Sequence, residues 1–196
     1  MSERPAKFAD LCAFYNNEYR PLYDRFICLG AVAQELHTEI AAGADHLFSN
    51  AGADGDIPPE EIERAVAHFK RATFDAFKMV FEAEIRGQYA LLMDRKYADV
   101  HDGKFRGEIT ALWNEAKSVA ANARGHETLS RRTDIARWGA AFAEWKKILP
   151  LADEFSRIMS SPEVVRATKK SRNEFVRDIV IWFVGLFAGA LLGKFL

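Results

Sequence analysis

Apolar residues return at three- and four-residue steps along most of the chain, the period of one face of an α-helix. Phe8, Leu11, Cys12, Tyr15 and Tyr19 mark a first amphipathic stretch that closes near Pro21. Leu22, Phe26, Leu29, Ala33, Leu36 and Ile40 carry a second. Residues 49–59, SNAGADGDIPP, gather glycine, proline and small polar breakers and predict a loop. A third helix is expected from Pro59, with Glu60 and Glu61 in its first turn, where acids suit the helix dipole. Its apolar face is Ile62, Val66, Phe69, Thr73, Phe77 and Val80, and it runs past Gly87 toward Lys96. Residues 97–104, YADVHDGK, predict a break. A fourth helix follows on Ile109, Leu112, Trp113, Ala116, Val119 and Ala123, with Gly125 a candidate interruption. A fifth carries Ile135, Trp138, Phe142, Trp145 and Leu149 up to Pro150, which kinks or stops it. Ser161-Pro162-Glu163 then supplies a capping hydroxyl, a first-position proline and an acid for the last helix. Strand alternation is almost absent, so the expected fold is all-α: a bundle of about five helices, with a long C-terminal helix continuing into a single transmembrane segment.

The last eighteen residues, 179–196, read IVIWFVGLFAGALLGKFL, with Lys194 as the only charge. As a helix they would reach about 27 Å, close to the ~30 Å hydrocarbon thickness of a bilayer. Gly185, Gly189 and Gly193 recur every four residues, a small-residue stripe that lets a second helix approach closely, so a homo-oligomer is expected. The alternatives are a lone anchor with incidental glycines and a buried core helix. Just before this run stand Arg166, Lys169, Lys170, Arg172 and Arg177, opposed by Glu163, Glu174 and Asp178. Bases beside a membrane helix stay on the cytoplasmic side and can hold anionic lipid head groups; the alternative is a solvated helix face. The organisation expected is a cytoplasmic helical domain over 1–161, a basic juxtamembrane helix over 162–178 and an anchor over 179–196.

The 196 residues suffice for one domain plus an anchor. A net charge of −1 argues against nucleic-acid binding by bulk electrostatics. Two cysteines, Cys12 and Cys28, make neither a disulfide framework nor a metal cluster. The N-terminus lacks the apolar core of a secretion signal. No cofactor and no metal are expected.

Candidate chemistry is sparse. No phosphate-cradling glycine loop, H-E-x-x-H, Cys-x-x-Cys or nucleophile elbow occurs. On the third helix Arg64, His68, Arg71, Asp75, Lys78 and Glu82 share one side. Spacing allows Arg71–Asp75 and Lys78–Glu82 pairs, and the face reads either as a contact surface for RNA or another subunit, or as a solvated face laced with ion pairs. Arg95 and His101, separated by five residues, match the R-x(4–6)-H spacing of HEPN ribonucleases. In that family arginine steadies the phosphate and histidine moves protons, a pairing that suits RNA cleavage.

The segment EEIERAVAHFKRATFDAFK, the Arg95–His101 spacing and the terminal run with Gly185, Gly189 and Gly193 together resemble the small membrane accessory proteins of type VI-B CRISPR systems. The resemblance implies a HEPN-like body facing the cytoplasm and an oligomer in the bacterial inner membrane. It further implies an antiviral-defence role that perturbs the membrane or forms a pore, with an RNA-guided effector or RNA as partner. The alternatives are a membrane-tethered HEPN-like RNA-binding protein or ribonuclease, and a passive tail-anchored scaffold.

Overall fold

The computed structural model describes residues 8–28, 34–52, 55–98, 100–129 and 135–192; within these, side-chain surroundings are left aside for residues 10, 26–28, 101–102, 129, 135–138, 178 and 182–192. Every regular element among the described residues is helical. Helix α1 (Phe8–Phe14) passes through a π-helical turn (Tyr15–Tyr19) into α2 (Arg20–Cys28), and α3 spans Gln34–Phe48. Helix α4 (Pro59–Val80) passes through a second π turn (Phe81–Arg86) into α5 (Gly87–Leu92). Two short 3-10 turns, Arg95–Tyr97 and Val100–Gly103, lead to α6 (Phe105–Leu129). Then come α7 (Ile135–Lys146), α8 (Ile148–Met159) and α9 (Pro162–Leu192).

Local chemistry explains most of these bounds. Pro59 sits at the start of α4, where its missing N–H costs nothing, and Glu60 and Glu61 occupy the first turn as expected. Pro21 does not end the first helix. A proline inside a helix removes one backbone bond and crowds the preceding turn; here the wider π turn ends just before it, and the chain stays helical to Cys28. Gly125 does not interrupt α6, because one glycine costs only about 1 kcal/mol of helix propensity. The helix boundary near Pro150 falls earlier, at Lys147, and Pro150 occupies the first turn of α8, where proline is tolerated. The predicted break over 97–104 takes the form of the two 3-10 turns.

The main core gathers α2, α4 to α6, α7 and α8 around Phe77, Ile85, Leu92, Phe105, Ile109, Trp145, Ile148 and Phe155, all essentially fully buried. The rings of Phe77 and Trp145 stack with centroids 6.3 Å apart. A smaller cluster, Leu11, Leu47, Ile62, Ala65 and Phe69, joins α1 and α3 to the start of α4. Here Gly43 makes a close approach: a Cβ at that position would lie 3.0 Å from a ring carbon of Phe69 and 3.3 Å from the Cβ of His68. Glycine lets α3 settle directly onto α4.

Two expectations are corrected. Fusing segments that continue through π turns, the described residues make seven helices rather than about five. Among the described residues no helix is long and apolar enough to cross a membrane, which overturns the single transmembrane segment. The reason lies in α9. Of the expected span only Ile179, Val180 and Ile181 have described side chains, too few to cross a bilayer, and the turns before them, up to Arg177, carry five bases and two acids that a bilayer core would not accept. Gly185, Gly189 and Gly193, the proposed packing stripe, lie outside the described residues, Gly193 altogether and the other two as regards their surroundings.

Among the described residues, the buried anchoring of α9 lies in its first turns. Val164 is buried, and Tyr97 and Thr168 share a hydroxyl hydrogen bond of 2.9 Å. From Arg172 onward every described side chain of α9 is exposed.

Candidate functional site

The densest polar constellation lies in the seam between α3 and α4. The imidazoles of His46 and His68 stack with centroids 5.2 Å apart. Each has a glutamate at its outer edge: His46 Nδ1 is 2.7 Å from Glu61 Oε2, and His68 Nδ1 is 2.8 Å from Glu39 Oε2. Each glutamate also receives an arginine. Arg64 Nη1 donates to Glu61 Oε1 at 2.7 Å, and Arg71 Nε donates to Glu39 Oε2 at 2.8 Å. Asn50 Nδ2 adds a longer contact to Glu61 at 3.4 Å.

The two halves differ in proton logic. A carboxylate only accepts, so His46 Nδ1 carries the proton it gives Glu61. His68 Nδ1 faces both Glu39 and Arg71 Nη2, the latter at 2.6 Å. Protonated, that nitrogen donates to Glu39; unprotonated, it accepts from Arg71, and it can do only one at a time. Burial pushes the Glu39 carboxyl up, but the hydrogen bonds from His68 and Arg71 outweigh it and hold the group below the usual glutamate range. Glu61 is buried and lies in the first turn of α4. A shallow cleft of about 410 Å³ opens beside Glu39, lined by Gln34, Glu35, Thr38, Glu39 and Asp75.

Of the residues singled out on the third helix, Arg64, His68 and Arg71 therefore meet in this seam. Asp75 lies farther along and binds Lys78 at 3.0 Å. Local pairs give way to tertiary ones: Arg71 goes to Glu39, and Lys78 reaches Glu127 of α6 at 2.7 Å. Burial lowers the Lys78 ammonium, yet its bonds to Glu127 and Asp75 prevail and raise it. Glu39, His46 and Glu61 were missed as partners. The available signal was that Glu35, Glu39 and His46 fall on one polar stripe of α3, facing the stripe on α4.

A second buried charge ties other elements together. Arg25 of α2 donates through Nε and Nη2 to both oxygens of Glu84, at 2.7 and 2.6 Å, and Nη2 also lies 2.9 Å from Asp153 of α8. The hydrogen bond to Glu84 raises the guanidinium further above its ordinary value. A two-toothed pair of this geometry suits a buried structural link. It is made at the second π turn, which turns Glu84 inward.

The Arg95–His101 pair falls on the two 3-10 turns. Arg95 is exposed at the start of the first, and the side chain of His101 lies outside the described residues, so no meeting of the two is described. Among the described residues no three of His, Cys, Asp and Glu gather as metal ligands.

Helix α9 presents a different kind of surface. Phe175 and Ile179, with Val176 and Val180 beside them, are each one turn apart and form an apolar strip; Phe175 is 65% exposed and Val180 53%. Arg166, Lys170 and Arg177 recur on the neighbouring side of the helix, and Lys169 and Arg172 continue the apolar strip toward the body. All five bases are exposed, Arg166 while paired with Glu163.

No protein-family profile, no curated protein and no solved structure matches this chain.

Proposed function

We propose that this protein is a helical accessory protein that works at an anionic membrane surface, with α9 as the element that attaches it. The observation that carries the reading is the exposed apolar strip of α9 set beside its basic residues. A helix with apolar residues on one side and Lys/Arg on the other lies in the plane of a lipid interface, its apolar face among the upper acyl chains. Burying side chains the size of Phe175, Val176, Ile179 and Val180 is worth on the order of 5 kcal/mol in total, and each base near an anionic surface adds about 1 kcal/mol. The sequence beyond, IWFVGLFAGALL, is apolar throughout and continues the same helical backbone. A pore would need a spanning helix, so the proposal stops at the surface.

The biological setting attached to this reading is the one the type VI-B resemblance implies, an accessory acting beside an RNA-guided effector. Co-expression with such an effector, scoring phage restriction with and without α9 substitutions, tests that setting. Attachment itself is tested by co-sedimentation of the full chain with vesicles. Binding to phosphatidylserine-containing vesicles, weakening with salt, is the expected result, with Phe175→Glu/Ile179→Glu abolishing it while the thermal midpoint of the body stays unchanged. Absence of binding, or equal binding by the double variant, contradicts attachment through α9.

A further inference from the structure

A cleft of about 840 Å³ lies where α6, the end of α8 and the start of α9 come together. One stripe of α6, from Phe105 through Leu112 to Glu115, forms its length, about 15 Å at the rise of an α-helix. Phe105, Ala111, Leu112, Ile158 and Pro162 make an apolar floor, and the lining carries four carboxylates, of which Glu154 pairs with Arg157 and Glu163 with Arg166, while Glu108 and Glu115 stand along the α6 side.

We infer that this cleft receives α9 of a second copy of the chain. The occupant is argued from complementarity of shape and charge. The exposed face of α9 runs from Lys169 and Arg172 to Phe175, Val176, Ile179 and Val180, three turns of about 17 Å, bases first and apolar groups after. That is the chemistry an apolar floor with an acidic rim accepts. The charge is also polarised along the chain: residues 162–196 hold six of its 27 Lys/Arg and three of its 28 Asp/Glu, leaving the body 21 bases and 25 acids. An α9 cannot fill its own cleft. Its first residues, Pro162 and Glu163, already line the cleft, and it runs on from there as one unbroken helix. The contact is therefore head-to-tail, between unlike surfaces, and it propagates into a ring or an open chain. It goes beyond attachment to lipid and uses the same face of α9, so anionic bilayer and neighbouring copy compete for it.

Sedimentation velocity on the full chain in lipid-free buffer tests this. Assembly at tens of micromolar, weakened by salt, is expected. Glu108→Lys/Glu115→Lys in the cleft and, separately, Lys169→Glu/Arg172→Glu in α9 should each weaken association about tenfold or more. Mixing the two variants should restore a complex, because the reversed cleft then faces a reversed helix; a merely misfolded variant would not be rescued. Wild-type chain that stays monomeric, a cleft variant that assembles as wild type does, or a mixture that forms no complex overturns the inference. The cleft variant keeps its helix for vesicles, so loss of assembly with retained vesicle binding separates this contact from lipid attachment.

Discussion

Glu39 shows how a single side chain on α3 sets the polar seam. It receives Arg71 and His68 at 2.8 Å each, and its carboxyl is held below the usual range by those bonds in spite of burial. The sign of the linkage follows. A carboxyl with a depressed folded pKa contributes fully above the unfolded value, about 4.3, and that contribution is lost as pH falls through the lower folded value. Glu39→Gln should therefore cost about 1–2 kcal/mol at neutral pH, the scale of lost charge-assisted hydrogen bonds. The gap between variant and wild type in urea unfolding should narrow steadily as pH is taken down from about 5 toward 3; a gap independent of pH would show that the charge is not the source. At this scale His68, Arg64 and Arg71 were visible in the sequence because they share a helix face. Their partners were not, since Glu39 lies 29 residues before His68 and only the packing of α3 on α4 brings them together.

The helices themselves were legible, because burial of one face imposes its period on the letters: Ile62, Phe69, Thr73, Phe77 and Val80 were expected to face inward and are buried. What the letters did not carry was the π turn before Pro21, which lets a helix survive a residue that would otherwise break it. Nor did they show that Pro150 lies just inside a new helix rather than at the end of an old one. Gly43 was likewise silent, since its role appears only against the ring of Phe69. Gly43→Leu should push α3 off α4 and destabilise the chain by about 1–3 kcal/mol, the usual cost of overpacking, even though leucine is the better helix former. Chemical denaturation of the variant gives the number, and a gain in stability would mean that the two helices can separate without cost.

For the molecule as a whole, the body and α9 are built on different rules. The body covers most of its described aromatic residues and ties its helices with part-buried pairs such as Arg25–Glu84, whereas the described side chains of α9 beyond Ser171 are exposed throughout. An apolar run near the C-terminus suggested a span, because a sequence window registers length and hydropathy alone. The described helix carries its charged turns and the first apolar ones on one continuous axis, as expected, but among the described residues no helix is long and apolar enough to cross a membrane. The sequence did mark the basic collar of Arg166, Lys169, Lys170, Arg172 and Arg177, and its exposure beside Phe175 and Ile179 is what the attachment reading uses. The most direct measurement is amide hydrogen exchange along residues 169–181 of the full chain, with and without anionic vesicles. Attachment through α9 predicts strong protection of that segment by phosphatidylserine vesicles, little change with zwitterionic ones and unchanged exchange in α4 and α6. Exchange in the segment that is indifferent to anionic lipid would contradict it.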